Sequence, residues 1–167
     1  MRPEGRGEFD CGLQEYNDWL LEDAPYFLEN NFARVKLLIH KKSADVVGYM
    51  ALSADAFPLS QGEKDSYGCR FGSMPALKVG KLASAVEYRG QGVPYLLLTL
   101  ALGIADAVNE AGGACRFLTV DADETANKGV SQVYLKFGFK NSQKVAGRQN
   151  PNMRLDLFEQ NVLPAPE

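Results

Sequence analysis

The stretch Val86-Glu-Tyr-Arg-Gly-Gln-Gly-Val-Pro94 lies between a strand-like run, Ala76 to Ala85, and the longest helical pattern in the chain, Gln91 to Glu110. A glycine-rich turn that leaves a strand and opens a helix points unpaired backbone N–H groups, and the positive end of the helix dipole, at one spot. That spot calls for an anion, usually a phosphate. The turn is not a P-loop, because no Gly-Lys-Ser/Thr follows, and a dinucleotide fingerprint would want a third glycine deeper in the helix.

The rest of the pattern arranges itself around this corner. Cys11 to Asp23 carries Leu13, Tyr16, Trp19 and Leu20 at helical spacing, and Pro25 is expected to end or kink that helix. A short second helix is expected over Tyr26 to Phe32. Val35 to Ile39 and Val46 to Leu52 read as an antiparallel strand pair joined by a polar connection. From Phe57 to Pro75 no clear period appears, and this long stretch is expected to lie over a substrate site or to cover core. In the next strand Leu77 and Val79 fall on odd positions while Leu82 and Val86 fall on even ones, so a β-bulge is expected at Gly80-Lys81, splaying the strand from its neighbour. The helix after the turn is apolar nearly all round in its first half, which predicts burial on more than one side. Cys115 to Asp121 reads as a strand and Thr125 to Phe137 as a helix, with Val130, Val133, Tyr134 and Phe137 on one face and Gly138 at its stop. Phe139 to Val145 and Met153 to Phe158 close the chain as two strands. The order predicts a mixed α/β (α+β) domain, one sheet with helices on both faces, spanning residues 1–167.

Composition excludes some classes of function. With 46% apolar residues the chain can bury a core, and its net charge of −3 gives no overall field toward nucleic acid or anionic lipid. Three cysteines, Cys11, Cys69 and Cys115, and a single histidine, His40, lack metal-ligand spacing, so neither a disulfide framework nor a metal is expected. The first residues lack a signal peptide's apolar core, and the richest apolar run, Val93 to Ala105, is broken by Thr99 and Gly103. A soluble cytoplasmic protein without a membrane partner is expected.

Asn127 and Tyr134 are seven residues apart, two helical turns, so on a continuous helix they would share a face. Tyr134 alone fits equally a core aromatic, and Asn127 a first-turn polar residue. Taken together, Leu82 to Pro94 with Asn127, Tyr134, Lys136 and Gly138-Phe139 resemble the GNAT superfamily of acetyl-coenzyme A-dependent N-acetyltransferases. The family's loop pattern, Arg/Gln-x-x-Gly-x-Gly/Ala, is approximated by Arg89-x-x-Gly92-x-Pro94. Its later signature is met by Asn127, Tyr134 and Lys136-Phe-Gly-Phe139.

The resemblance implies a central sheet splayed at its middle strands, and it implies a coenzyme site. The amides of Arg89, Gly90, Gln91, Gly92 and Val93 would take the pyrophosphate, with Arg89 adding charge if its side chain turns inward. Leu82 and Ser84 would offer backbone groups to the pantetheine arm, and Asn127 would bond the arm or the pyrophosphate. Tyr134, a phenol with an ordinary pKa of about 10, would donate a proton to the departing thiolate and is the catalytic candidate. Pro94 departs from the family pattern and removes one donor, which motivates an alternative: a GNAT-fold coenzyme-binding or interaction module with weak turnover. The base that deprotonates the amine is open among Glu87, Asp55 and a water chain.

The N-terminal half narrows the branch. Phe9-Asp-Cys-Gly, Tyr16-Asn-Asp-Trp-Leu20, Val47 to Ser53 and Gly80-Lys-Leu-Ala83 resemble a GNAT group that includes toxins of toxin–antitoxin pairs, which acetylate the amino group of aminoacyl-tRNA. The expected activity is acetyl transfer to a primary amine of a small molecule or peptide. tRNA as acceptor, with an antitoxin as partner, is the alternative, and a homodimer is a further expectation from the family. The basic clusters that would serve tRNA are Lys41 with Lys42, and Lys140 with Lys144 and Arg148.

Overall fold

Six strands form one open, mixed sheet in the order β1-β2-β3-β4-β6-β5. They belong to a computed structural model that describes residues 9–142 and 150–159. The strands are β1 Arg34–Ile39, β2 Val46–Pro58, β3 Ser73–Ser84, β4 Phe117–Asp121, β5 Lys140–Asn141 and β6 Asn152–Asp156. The helices are α1 Gln14–Asp18, α2 Ala24–Glu29, α3 Gln61–Tyr67, α4 Val93–Glu110 and α5 Val130–Phe137. The mixed α/β class expected from the sequence is therefore observed. The chain packs as two compact units, Met1–Ser53 with Gly80–Thr99, and Ala54–Val79 with Leu100–Glu167.

In the first unit the helix expected from Cys11 starts at Gln14, and Pro25 does not end it. The chain passes through one π-helical turn, Trp19–Asp23, in which the Ala24 N–H reaches back to the Trp19 carbonyl, and continues as α2. Pro25 falls in the first turn of α2, where a missing N–H has no intrahelical partner to lose. The second helix ends at Glu29 rather than Phe32, because the Phe32 and Ala33 amides both turn back to the Phe27 carbonyl, at 2.9 and 3.4 Å. β1 and β2 pair antiparallel from Arg34↔Leu52 to Ile39↔Val46, as expected. Beneath them Phe9, Cys11, Trp19, Ala24, Tyr49, Ala51, Ala83 and Ala85 make a buried cluster. Tyr49 stacks on Trp19 with centroids 5.9 Å apart and meets Phe9 edge-on at 5.4 Å. Its phenol donates to the Tyr16 carbonyl at 2.8 Å, and burial pushes its pKa up.

In the second unit, β2 runs on past Leu52 to Pro58, and the long irregular stretch expected from Phe57 is instead the end of β2, helix α3 and the start of β3. Its signal is Ser60-Gln-Gly-Glu63, a capping box. Ser60 Oγ accepts from the Glu63 amide at 3.3 Å, and the Glu63 carboxylate accepts from the Ser60 amide at 2.7 Å. Glu63 also pairs with Arg154, whose guanidinium lies 5.1 Å from the Phe57 ring centroid and 5.2 Å from that of Phe117. Phe57, Leu59, Ala76 and Phe117 are buried with Tyr67 and Met74 against them, so this segment covers core.

β3 pairs parallel with β4 from Ala76↔Phe117 to Val79↔Val120. Its buried residues are Ala76, Val79 and Ala83, and since the register with β4 is regular from Ala76 to Val79, Ala76 and Val79 lie on opposite faces of a strand covered on both sides. Between them Lys78 turns to pair with Asp121 at 2.5 Å. β4 starts two residues after Cys115, and β6 stops at Asp156, where its carboxylate accepts the Phe158 amide at 3.0 Å. Burial would raise the Asp156 pKa, but hydrogen bonds from Arg116, Phe158 and Tyr67 outweigh it and hold the carboxyl below its ordinary range. Of the expected strand Phe139 to Val145, β5 keeps Lys140–Asn141, and its last residues lie outside the described part.

α4 buries one face only. Val93, Leu97, Leu98, Ala101 and Ala105 are at most 3% exposed, whereas Leu96 and Leu100 are 52% and 45% exposed. The expectation of burial on more than one side is corrected: the leucine run is too long for one stripe, and its surplus faces outward. By length and composition alone α4 could cross a membrane. Its buried stripe, in which each fully buried leucine contributes about 1.5–3 kcal/mol, is that of a core helix.

Candidate active site

In the first unit the candidate site is the corner between β3 and α4. After Ser84 the chain makes one 3₁₀ turn, Val86–Tyr88, and α4 opens at Val93 rather than Gln91. Gly90 and Gly92 both adopt left-handed backbone, with φ of 76° and 74°, which explains two glycines so close together. The Arg89 amide bonds the Val86 carbonyl at 3.2 Å and the Gln91 amide the Tyr88 carbonyl at 3.3 Å, so these two N–H groups are used within the turn. The amides of Gly90, Gly92 and Val93 have no hydrogen bond among the described residues, and the space around Gly90 and Gly92 is open to 4 Å. Pro94 occupies the second helical position and contributes no donor. Three N–H groups at the start of an 18-residue helix with no acid in its first turn make a corner fit for a phosphate.

The corner is held from below by an unusually close approach. A Cβ on Gly48 would stand 2.5 Å from Val93 Cγ1 and 2.8 Å from the Ala83 carbonyl oxygen, so only glycine lets the start of α4 sit this near β2. Nothing in the pattern of β2 flags that role; Gly48 looks there like any small residue in an apolar run. Leu82 and Ser84, expected to face the coenzyme arm, are half-buried near the end of β3, and Ala85 is anchored by its amide to the Val47 carbonyl at 2.9 Å. Arg89 does not reach toward the loop with its charge: its guanidinium donates to the Cys11 carbonyl at 2.8 Å. Lys81 pairs with Glu15 at 3.1 Å and lies 4.2 Å from the Tyr16 ring centroid. Glu87, one candidate base, is exposed on the 3₁₀ turn.

In the second unit the expected shared face of Asn127 and Tyr134 does not form, because α5 begins at Val130. Asn127 lies in the preceding turn, its amide on the Asp123 carbonyl at 3.0 Å and its own carbonyl accepting from Val130 at 3.1 Å. The Glu124 carboxylate explains the late start. It accepts from the Gly129 amide at 2.7 Å and the Ser131 amide at 2.8 Å, capping α5 there, and the Ser131 side chain together with these two amides holds its pKa below the ordinary value.

Tyr134 is 5% exposed, and a C-terminal motif of α5 fixes its ring. The Phe139 amide reaches the Tyr134 carbonyl at 3.0 Å and the Gly138 amide the Leu135 carbonyl at 3.1 Å, with Gly138 left-handed at φ 119°. This is a Schellman closure, and its usual apolar contact is the edge-on packing of Tyr134 on Phe139 at 5.6 Å. The spacing Tyr134, Gly138, Phe139 is therefore a structural unit. On the same helix Phe137 is buried, whereas Val133 is 39% exposed and does not belong to the expected face. Asp55, the other candidate base, accepts from the fully buried Thr119 hydroxyl at 2.8 Å.

The basic clusters are thin. Lys41 and Lys42 sit exposed in the β1–β2 turn, Lys140 is paired with Glu159 at 2.5 Å, and Lys144 and Arg148 lie outside the described residues. Lys78, Lys81, Arg116 and Arg154 are each paired with an acid.

No protein-family model and no curated protein matches this sequence. Solved structures do match in fold. AtaT, complexed with acetyl-methionyl-tRNA, superposes with a TM-score of 0.75 at 22% identity, covering 89% of this chain and 85% of that one. A tyrosine-to-phenylalanine mutant of KacT gives 0.73 at 20% identity over 89% and 85% of the two chains. AtaTR bound with acetyl-coenzyme A gives 0.71 at 20% identity over 93% and 89%. The chain shares the fold of these three proteins, a mixed sheet of the kind that the sequence resemblance implies.

Proposed function

We propose that this chain is a cytoplasmic N-acetyltransferase that transfers acetyl from acetyl-coenzyme A to a primary amine by direct attack in a ternary complex. The observation that carries the reading is the trio of open amides at Gly90, Gly92 and Val93 at the start of α4, on a fold shared with AtaTR, whose structure holds acetyl-coenzyme A. Bound there, the coenzyme supplies an acetyl thioester. Gly90, Gly92 and Val93 hold its pyrophosphate, and backbone groups of Leu82 and Ser84 carry its pantetheine arm as a neighbouring strand would. Asn127 keeps its assignment to the same molecule through its side-chain amide, now from a turn rather than a helix face. The Tyr134 phenol is the proton source for the departing thiolate, and its fixed ring suits a group that must be in place before the reaction. The role of Arg89 in this reading is its place in the turn.

A second reading names the acceptor as the amino group of an aminoacyl-tRNA, with a cognate antitoxin as partner. It is favoured by AtaT, which has been seen with acetyl-methionyl-tRNA and, as a mutant toxin, with the C-terminus of the antitoxin AtaR. The paired basic side chains and the net charge of −3 weigh against it, since phosphate neutralisation dominates affinity for RNA.

The test is thiol release from acetyl-coenzyme A over a panel of amines, peptides and charged tRNA, with the acetylated product identified by mass. Transfer to at least one acceptor is expected, and Tyr134→Phe is expected to lower turnover about tenfold or more. An unchanged rate removes Tyr134 from the chemistry. Growth arrest on expression together with acetylated aminoacyl-tRNA selects the second reading.

A further inference from the structure

We infer that the segment Asp10-Cys11-Gly12, organised by Asn17, is a strap that sets the phosphate loop, and that Arg89 ties the loop to this strap rather than contacting phosphate. The inference rests on the reading of the loop as the coenzyme's pyrophosphate site.

The strap alternates. Phe9 and Cys11 are buried in the aromatic cluster of the first unit, while Asp10 and Gly12 face outward. Its backbone grips the loop at both ends of the 3₁₀ turn: the Val86 amide donates to the Asp10 carbonyl at 2.9 Å, and the Arg89 guanidinium donates to the Cys11 carbonyl at 2.8 Å. The approach is close, since a Cβ on Gly12, which is left-handed at φ 80°, would stand 2.9 Å from the Arg89 Nη2. With Ala85 bonded to the Val47 carbonyl at 2.9 Å, the chain entering the loop is clamped between β2 on one residue and the strap on the next.

Asn17 shapes the strap without touching the loop. Its side-chain oxygen accepts from the Cys11 amide at 2.9 Å, and its side-chain NH₂ donates to the Asp10 carboxylate at 2.9 Å, which also accepts the Gly12 amide at 2.7 Å. An arginine four residues from the loop's end would ordinarily be assigned to phosphate by its charge. Here its hydrogen bond goes to a neutral carbonyl, and its effect on an anion is to fix where the amides of Gly90, Gly92 and Val93 point. Asn17 and Arg89 are thus positioning residues that act through one strap.

Titration calorimetry with coenzyme A on the full chain tests this, using wild type, Asn17→Ala, Arg89→Met and the double mutant. Each single change is expected to weaken binding about tenfold, as expected for losing one or two hydrogen bonds. The double mutant should be little weaker than the poorer single, because both act on the same strap. In turnover the loss should appear in KM for the coenzyme rather than in kcat or in KM for the amine, and amide exchange at Val86 should quicken in both singles. If Asn17→Ala does not fold, Asn17→Ser, which keeps one polar contact, should lose about threefold. Wild-type affinity in the Asn17 variant overturns the strap, and losses that multiply in the double mutant show that Arg89 meets phosphate on its own. A wild type that takes up no coenzyme A overturns the coenzyme reading itself, a result distinct from either.

Discussion

Two helices in this protein begin after a tight turn with glycines, and only one of them is open to an anion. At the start of α4 the amides of Gly90, Gly92 and Val93 have no hydrogen bond among the described residues, and the first turn carries no acid. At the start of α5 the Glu124 carboxylate already accepts from Gly129 and Ser131. The dipole and the orphan amides are common to both helices, so neither distinguishes a binding corner from a capped one. What distinguishes them is whether the chain supplies its own carboxylate.

The largest effect is expected beneath the open corner. Gly48→Ala puts a methyl 2.8 Å from the Ala83 carbonyl and against Val93, and a backbone carbonyl cannot move aside as a side-chain tip can. Destabilisation of about 1–3 kcal/mol is expected by chemical denaturation, together with weaker coenzyme binding; stability equal to wild type would show that α4 is free to shift.

Closing the corner by charge should cost less. Gln91→Glu places a carboxylate on the exposed loop, whose side chain now donates to the Glu87 carbonyl at 3.3 Å, and coenzyme affinity should fall about three- to tenfold at low salt and recover as salt screens it. A loss that ignores salt would assign the effect to the lost amide instead.

The smallest effect is at the capped helix. Hydrogen bonds from the Ser131 side chain and from the Gly129 and Ser131 amides hold the Glu124 pKa below its ordinary 4.5, so its contribution is present above that value and is lost as pH falls through the depressed folded value. Glu124→Gln should therefore lower the melting temperature slightly at neutral pH and converge with wild type in acid. A gap that persists below the folded pKa would mean that the carboxylate is not the cap.

These contrasts also mark how far the sequence could be read. The β3–turn–α4 corner was legible because two glycines after a strand and before a long apolar helix leave few alternatives, and Tyr134, Gly138 and Phe139 were legible because a helix stop and its apolar contact have fixed spacing. The phase of Asn127 was not. A seven-residue spacing assumes one continuous helix, and the assumption failed where Glu124, three residues before Asn127, captured the amides beyond it. The capping box at Ser60 and Glu63 was equally visible in the residues, yet the surrounding glycines and serines hid it in a stretch that looked irregular. Pro25 was misleading for a different reason, since a π turn placed it where proline is harmless. Gly48 and the bond from Arg89 to Cys11 join residues far apart in the chain, and no local pattern encodes such contacts.

The central claim is that the open amides at the start of α4 bind the pyrophosphate of acetyl-coenzyme A. Calorimetric titration of the wild-type protein with coenzyme A and with pantetheine, which lacks the pyrophosphate, tests it most directly. Saturable binding of coenzyme A, at least about a hundredfold tighter than pantetheine, is expected from several charge-assisted hydrogen bonds. Equal affinity for the two, or no saturable binding of coenzyme A, would contradict the account.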